Sequence, residues 1–345
     1  MQLKDVPLTI LRERADLLRG MLLVLIFRPA AFVFPNRVIW GLAYVCAVPV
    51  VLQASGRRMA EDYRAAFGVS RRTALRMALR AHASRFHEFA YQQKVILRWH
   101  DPFRLPVRIE ANDEARAIVD GAGSFMLAMS HFERTDATAA LFHPKAFHGR
   151  PVYAVAFKLP NFVFLPHLWR MGLQLRQLLR ATRRARPEGL EIVYLGGSTG
   201  RLIHRLRSER AIASVNIDAR WPRGRNSSLT RPFAGATQRT FSSGSARLAR
   251  LAGAPLLLGI PVMSDDGKAV RMRLFGPFRS NAPSEDQQDI DVTQQILDVI
   301  EREVGARPCE YLLDIGGDRR WSADEQAWRA APLPAAAATL SADSG

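Results

Sequence analysis

The stretch Phe125–Asp136 (FMLAMSHFERTD) carries the residue types and spacing that best suit proton-transfer chemistry. Its apolar start predicts a short buried strand that ends at Ser130 and His131, and its polar end is typical of the first turn of a helix. His131 can take a proton from an attacking hydroxyl or amine, and Asp136 can hold the other ring nitrogen and stabilise the imidazolium. The same spacing also fits a histidine that satisfies a backbone group, with Asp136 interacting with the helix dipole.

An acid and three arginines follow another predicted strand, in the loop sequence NIDARWPRGR. The acid is Asp218, and the arginines are Arg220, Arg223 and Arg225. Guanidinium groups bind phosphate through paired hydrogen bonds, and a neighbouring carboxylate can hold one of them in place. These residues are therefore candidates for substrate or phosphate binding, with a solvated basic loop as the alternative interpretation.

The segment Gly196–Gly200 (GGSTG) matches the G-x-S-x-G pattern of an esterase, with Ser198 as the nucleophile between a predicted strand and a predicted helix. In such hydrolases an acid and then a histidine follow the serine. Here His204, in the same predicted helix, is the last histidine of the chain. A hydrolase would need His131 or His167 as its base, in a different chain order. We interpret the glycines as a strand-to-helix turn and keep a serine esterase as an alternative.

Cofactor motifs are missing from the sequence. It contains neither a glycine-rich dinucleotide fingerprint nor a P-loop. Its two cysteines, Cys46 and Cys309, lack the Cys/His spacing of a zinc site or a disulfide framework. We therefore expect chemistry that uses no metal or redox cofactor.

The charge balance is strongly basic. The 345 residues carry a formal net charge of +17, almost all of the excess coming from arginine. Such a surface favours nucleic acid, anionic lipid head groups or an acidic protein as partner. No helix-turn-helix, zinc finger or aromatic single-strand platform accompanies the charge, so we do not expect nucleic-acid binding. A non-catalytic basic protein that binds a membrane or a nucleic acid is the second alternative.

Residues 1–56 are predicted to form membrane-associating helices. Two apolar blocks, at residues 20–35 and 38–54, are each shorter than the roughly 20 apolar residues of a spanning helix. We expect a pair of helices in or on one leaflet, with arginines at the head groups. A buried core hairpin and a single spanning helix are the alternatives. Residues 57–104 are predicted to form a basic helical segment.

Residues 105–330 alternate between strand-like and helix-like segments, which predicts a mixed, partly parallel β-sheet flanked by helices. Residues 331–345 are predicted to be a disordered tail. The predicted strands are Val107–Glu110, Ser124–Met129, Val152–Phe157, Glu191–Leu195, Ile212–Ile217, Pro255–Val262 and Val270–Leu274. The predicted helices are Glu114–Val119, Thr135–Leu141, Pro160–Leu173, Thr199–Arg207, Ser243–Gly253 and Gln287–Glu303.

Taken together, several blocks follow a known order and spacing. They are YRAAFG (63–68), AMSHFERTDATAALF (128–142), PVYAVAFKLPN (151–161), VNID (215–218), RPFAG (231–235), SSGSARLARLAGAPLLLGIPV (242–262) and PCEYLL (308–313). Over roughly residues 15–320 the chain resembles the late acyltransferases of lipid A biosynthesis, the lauroyl/myristoyl transferases of the glycerolipid acyltransferase-like group with an H-x4-D/E motif.

The resemblance implies a glycerolipid acyltransferase-like α/β fold. It also implies transfer of an acyl chain from a thioester, on acyl carrier protein or coenzyme A, to a lipid acceptor at the cytoplasmic face of the inner membrane. His131 would be the general base and Asp136 its orienting partner. The acceptor would be of the lipid A type, and the carrier protein, which is acidic, would suit the basic surface.

The chain departs from the family pattern in two places. The family usually carries an arginine about where Phe157 falls, and the adjacent Lys158 is the candidate replacement, although it would point to the other face of a strand. The block that contains Asp218 is richer in arginine than the family norm. Both departures lie where acceptor or phosphate would bind, so another glycolipid, an aminolipid or a polyene- or peptide-linked product are alternative acceptors.

Overall fold

The computed structural model describes residues 25–96, 106–132, 147–156, 190–194, 199–218, 228–263, 269–313 and 315–330. In these ranges the chain forms an α/β fold around one mixed sheet of seven strands. The strands of this sheet are β1 (Val107–Ala111), β2 (Phe125–Met129), β3 (Val152–Ala156), β4 (Leu190–Tyr194), β5 (Ile212–Asn216), β8 (Leu256–Met263) and β9 (Val270–Phe275). Two further hairpins pair β6 (Ser228–Phe233) with β7 (Ala236–Ser242) and β10 (Arg319–Ser322) with β11 (Ala327–Ala330).

Most neighbouring strands of the sheet run parallel. The order is β1-β9-β8-β2-β5-β3-β4, in which the strands from β8 to β4 share one direction. β9 is antiparallel to β8 and parallel to β1. β2 lies in the middle, and all of its residues are buried. A central strand of a parallel sheet is covered on both faces, which explains its continuous apolar run.

Helices lie on both faces of this sheet. Along β2, Met126 and Ala128 belong to a large apolar cluster that includes residues of the long helices. Phe125, Leu127 and Met129 belong to a second cluster on the opposite face. The helices are α1 (Asn36–Val51), α2 (Ala54–Phe67), α3 (Arg71–Ile96), α4 (Asp113–Asp120), α5 (Thr199–Ser208), α6 (Gly244–Ala252) and α7 (Glu285–Ala306), and residues 25–33 are also helical.

The first helices pack through small residues. Ala43 and Ala47 of α1 are fully buried in a cluster with Ala83 and Ala90 of α3. Because alanine side chains are small, the two helices can approach each other closely. The opposite face of α1 is apolar and exposed, as are parts of the helical residues 25–33 before it. Its exposed apolar side chains are Val38, Tyr44, Val45, Val48 and, just after the helix, Leu52. Among the described residues no single helix is long and apolar enough to cross a membrane, although α1 and α2, bent by 94°, pass that test as a pair.

The two hairpins are attached to α7 through the buried carboxylate of Glu301. One of its oxygens accepts hydrogen bonds from the Ala234 backbone N–H, at 3.0 Å, and from Arg319, at 2.6 Å. The other oxygen accepts from Arg231 at 2.8 Å. Trp328 donates its ring N–H to the Glu301 backbone carbonyl. A single acidic residue therefore joins β6, β10 and β11 to the core.

The predicted α/β class and the mixed, partly parallel sheet flanked by helices are confirmed, and the sheet is mostly parallel. Each of the seven predicted strands is present within a residue or two of its expected ends. Ser70, which lies before α3, accepts a hydrogen bond from the Thr73 N–H. The two hairpins were not predicted. The predicted helices Thr135–Leu141 and Pro160–Leu173 and the predicted tail lie outside the described residues, and the predicted domain boundaries stay predictions.

Candidate active site

The candidate site lies at the carboxyl ends of β2 and β5, two adjacent parallel strands. Their register aligns Met129 with Asn216. His131 therefore follows β2 by two residues, just as Asp218 follows β5. The carboxyl ends of parallel strands are where open α/β sheets bind their ligands, because the chain leaves the sheet there in loops that expose side chains.

Asp218 holds His131 with both carboxylate oxygens. One oxygen accepts the backbone N–H of His131 at 2.8 Å, and the other lies 2.6 Å from the ring nitrogen Nδ1. An ionised carboxylate can only accept hydrogen bonds, so Nδ1 carries the proton in this pair. The neutral imidazole then has its lone pair on Nε2. The arrangement presents a base whose tautomer and orientation are set by a buried acid.

The two partners differ in their exposure to solvent. The side chain of Asp218 is fully buried, whereas that of His131 is 30% exposed. Burial lowers the pKa of His131, but the charge of Asp218 and its hydrogen bond together outweigh burial and raise that pKa above its ordinary value. The charge of Asp218 thus stabilises the imidazolium that forms when His131 accepts a proton.

Asn216 also faces the imidazole. Its side-chain amide nitrogen lies 3.4 Å from Nε2 of His131, near the long end of the hydrogen-bond range. A contact of this length gives way easily to a substrate group that approaches Nε2. The amide is then placed to donate to an oxygen of that substrate. Sequence analysis did not single out Asn216 as a site residue.

The block PCEYLL (308–313) supports the turn that carries His131. The Leu312 backbone N–H donates to the His131 carbonyl at 2.8 Å, and Phe132 forms a β-bridge with Tyr311. Arg85 of α3 donates to the Leu312 carbonyl at 3.2 Å. The block PCEYLL therefore holds the main chain at His131 and Phe132. It also connects the site to the helical N-terminal region.

The predicted site residues have different outcomes. His131 and Asp218 are described, and they form one pair. Asp218 was predicted to bind substrate or phosphate, which stays a prediction, and in the structure its carboxylate lies on Nδ1 of His131, the position that sequence analysis assigned to Asp136. The other predicted residues lie outside the described residues, and their roles stay predictions: Asp136, Lys158, Arg220, Arg223 and Arg225.

The strand order of the sheet bears on the alternative of a serine esterase that uses Ser198. Ser198 itself lies outside the described residues, but β4, the strand before it, is three strands from β2. Adjacent strands lie about 4.8 Å apart, so the ends of β4 and β2 are separated by roughly 14 Å. His204 of α5 is exposed. The strand order therefore does not support a pairing of Ser198 with His131.

Within the ranges that the structure describes, no group of three or more His, Cys, Asp or Glu side chains is placed to hold a metal ion. Comparison of the sequence with protein-family models gives no match, and comparison with curated proteins gives none either. Any functional assignment therefore depends on the geometry of the site.

Proposed function

We propose that this protein is an acyltransferase that moves a fatty acyl chain from a thioester donor to a hydroxyl or amine of a lipid acceptor. The observation that carries the proposal is the His131–Asp218 pair at the carboxyl edge of the sheet. It combines a partly exposed imidazole, a buried carboxylate on Nδ1 and an electron pair on Nε2 that faces the Asn216 amide at 3.4 Å. That is what a general base for an attacking hydroxyl requires.

In the proposed reaction, Nε2 of His131 removes the proton of the acceptor as its oxygen or nitrogen bonds to the thioester carbonyl carbon. Asp218 stabilises the imidazolium. Collapse of the tetrahedral intermediate breaks the carbon–sulfur bond, and the imidazolium returns its proton to the leaving sulfur. The products are the acylated lipid and a free thiol, with His131 neutral again. Asn216 is placed to donate to the oxygen on which negative charge develops.

The thioester donor and lipid acceptor are supported by features outside the pair. The blocks that resemble lipid A late acyltransferases include AMSHFERTDATAALF, which contains His131, and PCEYLL, which braces it. The exposed apolar face of α1 suits a lipid surface, and the net charge of +17 suits an acidic carrier protein. We therefore propose a lipid A-type acceptor, acyl carrier protein as donor and the cytoplasmic face of the inner membrane as the location. Asp136 is a second candidate orienting acid, and Lys158, Arg220, Arg223 and Arg225 are candidate phosphate ligands.

The test is an acyl-transfer assay with membranes and radiolabelled acyl carrier protein. We expect wild-type protein to move label into a lipid product and His131→Ala to lose about 10²–10⁴-fold of that rate, the usual contribution of a general base. His204→Ala is the matched control, because His204 is an exposed histidine on α5. Circular dichroism checks that both variants fold.

The outcomes separate the proposal from its rivals. A His131→Ala protein with wild-type activity contradicts the mechanism. Release of free fatty acid, together with loss of activity in Ser198→Ala, supports the serine esterase instead. Salt-sensitive binding to anionic polymers that does not depend on His131, without any chemistry, supports the non-catalytic basic protein.

A further inference from the structure

A cavity of about 760 Å³ lies between the helical N-terminal region and the β6–β7 hairpin. Its described walls come from α2, α3, β7 and residues 313 and 315–318. Its volume is in the range of small-molecule and lipid-head-group sites. Neither His131 nor Asp218 is among the described residues that line it.

Three arginines line this cavity. Arg58 lies on the exposed side of α2, Arg85 comes from α3, and Arg239 comes from β7. Arg239 is only 8% exposed, and its guanidinium lies over the ring of Phe233. Hydrogen bonds from a guanidinium are strongest where water is excluded and where the acceptor carries a negative charge.

Two carboxylates also line the cavity, those of Asp62 and Asp318. Asp318 accepts a hydrogen bond from the Thr237 backbone N–H at 3.2 Å, which occupies part of its capacity. The described lining carries three arginines against two acids, so its formal charge is positive. This balance favours a ligand that carries negative charge.

Part of the remaining wall is apolar, and it is interspersed with polar side chains such as those of His82 and Gln238. Met59, Leu313 and Ile315 line the cavity together with the charged groups. Its rim reaches Ser55, in the first turn of α2, which follows the exposed Leu52 by three residues. The end of the exposed apolar face of α1 is thus three residues along the chain from the cavity lining. One molecule with a charged head and an apolar tail can fit both surfaces.

We propose that this cavity binds the anionic head group of an amphiphile, with a phosphomonoester or a carboxylate held by Arg58, Arg85 and Arg239, and with the apolar tail directed towards α1. The site does not depend on the acyl-transfer reaction. It is connected to the candidate active site through the block PCEYLL. Arg85 donates to the Leu312 carbonyl, and the Leu312 N–H donates to the His131 carbonyl.

The experiment measures binding of a fluorescent single-chain phosphomonoester lipid, 1-oleoyl lysophosphatidic acid, in non-ionic detergent micelles. Wild-type protein should bind it saturably, and Arg239→Gln should weaken binding about tenfold, the effect of losing one charged hydrogen bond. Arg58→Gln, at an exposed position that tolerates substitution, should weaken binding several-fold even if Arg239→Gln fails to fold. Arg76→Gln is the charge-matched control, since Arg76 is exposed on α3 and is not among the cavity-lining residues.

The control variants and competing ligands show which feature of the lipid the cavity recognises. Arg76→Gln and His131→Ala should both retain wild-type binding, so the result is independent of the catalytic proposal. Equal loss in Arg76→Gln and Arg58→Gln would overturn the site in favour of overall charge. Equal binding of the phosphocholine analogue would overturn recognition of an anion. Inorganic phosphate that competes as strongly as the lipid would overturn the role of the tail, and absence of saturable binding would overturn the proposal as a whole.

Discussion

Asp218 contacts His131 twice, once at the backbone N–H and once at Nδ1 of the ring. Both contacts come from one fully buried carboxylate, although the two residues are 87 positions apart in the chain. The bond to the main chain positions the acid, and the bond to the ring sets the tautomer. Because one side chain performs both tasks, a substitution at Asp218 should affect the base itself more than the surrounding fold.

Asp218→Asn should lower the rate of acyl transfer by roughly 10²–10⁴-fold, the range that a misplaced general base loses. Asparagine keeps the size of the side chain and one acceptor oxygen. If that oxygen keeps the backbone N–H of His131, the amide NH₂ faces Nδ1 and donates to it. The proton of the imidazole then moves to Nε2, which can no longer act as a base. Radiolabel transfer under single-turnover conditions measures the loss.

Asp120→Asn is the control for this substitution. Asp120 pairs with Nε2 of His148 at 3.0 Å, but both side chains are more than half exposed. Loss of an exposed pair should leave the transfer rate unchanged. Equal loss in Asp120→Asn and Asp218→Asn would mean that the effect does not arise from the site, and full activity in Asp218→Asn would exclude Asp218 as the orienting acid.

The pH dependence of kcat/KM should report the titration of His131. The base acts when it is neutral, so kcat/KM should fall as the pH drops below the pKa of His131. Burial lowers that pKa, but the charge and hydrogen bond of Asp218 raise it more, so the acidic limb should lie above the ordinary histidine value of 6.5. In Asp218→Asn the charge is gone, and the limb of the residual activity should move to lower pH. A limb that stays in place would show that another group titrates.

The strands that carry the site could be predicted from the sequence, whereas the pairing across them could not. The apolar runs before His131 and Asp218 both predicted strands, and both residues were expected just after a strand end. What the sequence does not contain is the strand order. β5 lies next to β2, although β3 and β4 come between them along the chain. Sequence analysis therefore paired His131 with the nearby Asp136, because local spacing is visible and non-local adjacency is not.

The hairpins were missed for a different reason. β6 contains Pro232, which usually argues against a strand, and neither β6 nor β7 shows a regular alternation of apolar and polar residues. Their stability depends on tertiary contacts, above all those of Arg231 and Arg319 with Glu301. The value of such contacts depends on where the partner lies in space, so local sequence patterns do not reveal them.

Glu301→Gln should destabilise the protein by about 3–5 kcal/mol, the cost of breaking a buried ion pair on one side. Glutamine has one acceptor oxygen where Glu301 offers two, and its NH₂ group would face a guanidinium. Arg231 and Arg319 would then lose their buried counter-charge. Urea unfolding monitored by tryptophan fluorescence measures the change, since Trp328 donates to the Glu301 carbonyl.

Glu325→Gln provides the matched comparison for Glu301→Gln. Glu325 pairs with Arg329 on the surface, and both side chains are at least half exposed. Surface pairs contribute about 0–1 kcal/mol, so this variant should unfold close to wild type. If the free energy of unfolding falls equally in the two variants, the buried carboxylate of Glu301 does not hold the hairpins to α7.

The exposed apolar face of α1 lies against a lipid surface in the proposed function. Val45 is 68% exposed on this face, so Val45→Glu should leave folding intact. Burying a valine in an apolar environment contributes about 1.5–3 kcal/mol, and a carboxylate adds repulsion from anionic lipids, so binding to phosphatidylglycerol vesicles should fall at least about tenfold. Leu251→Glu on α6, at another exposed apolar position, is the control and should bind as wild type. Vesicle co-sedimentation distinguishes the cases: unchanged binding of Val45→Glu, or equal loss in both variants, would remove α1 from the membrane contact.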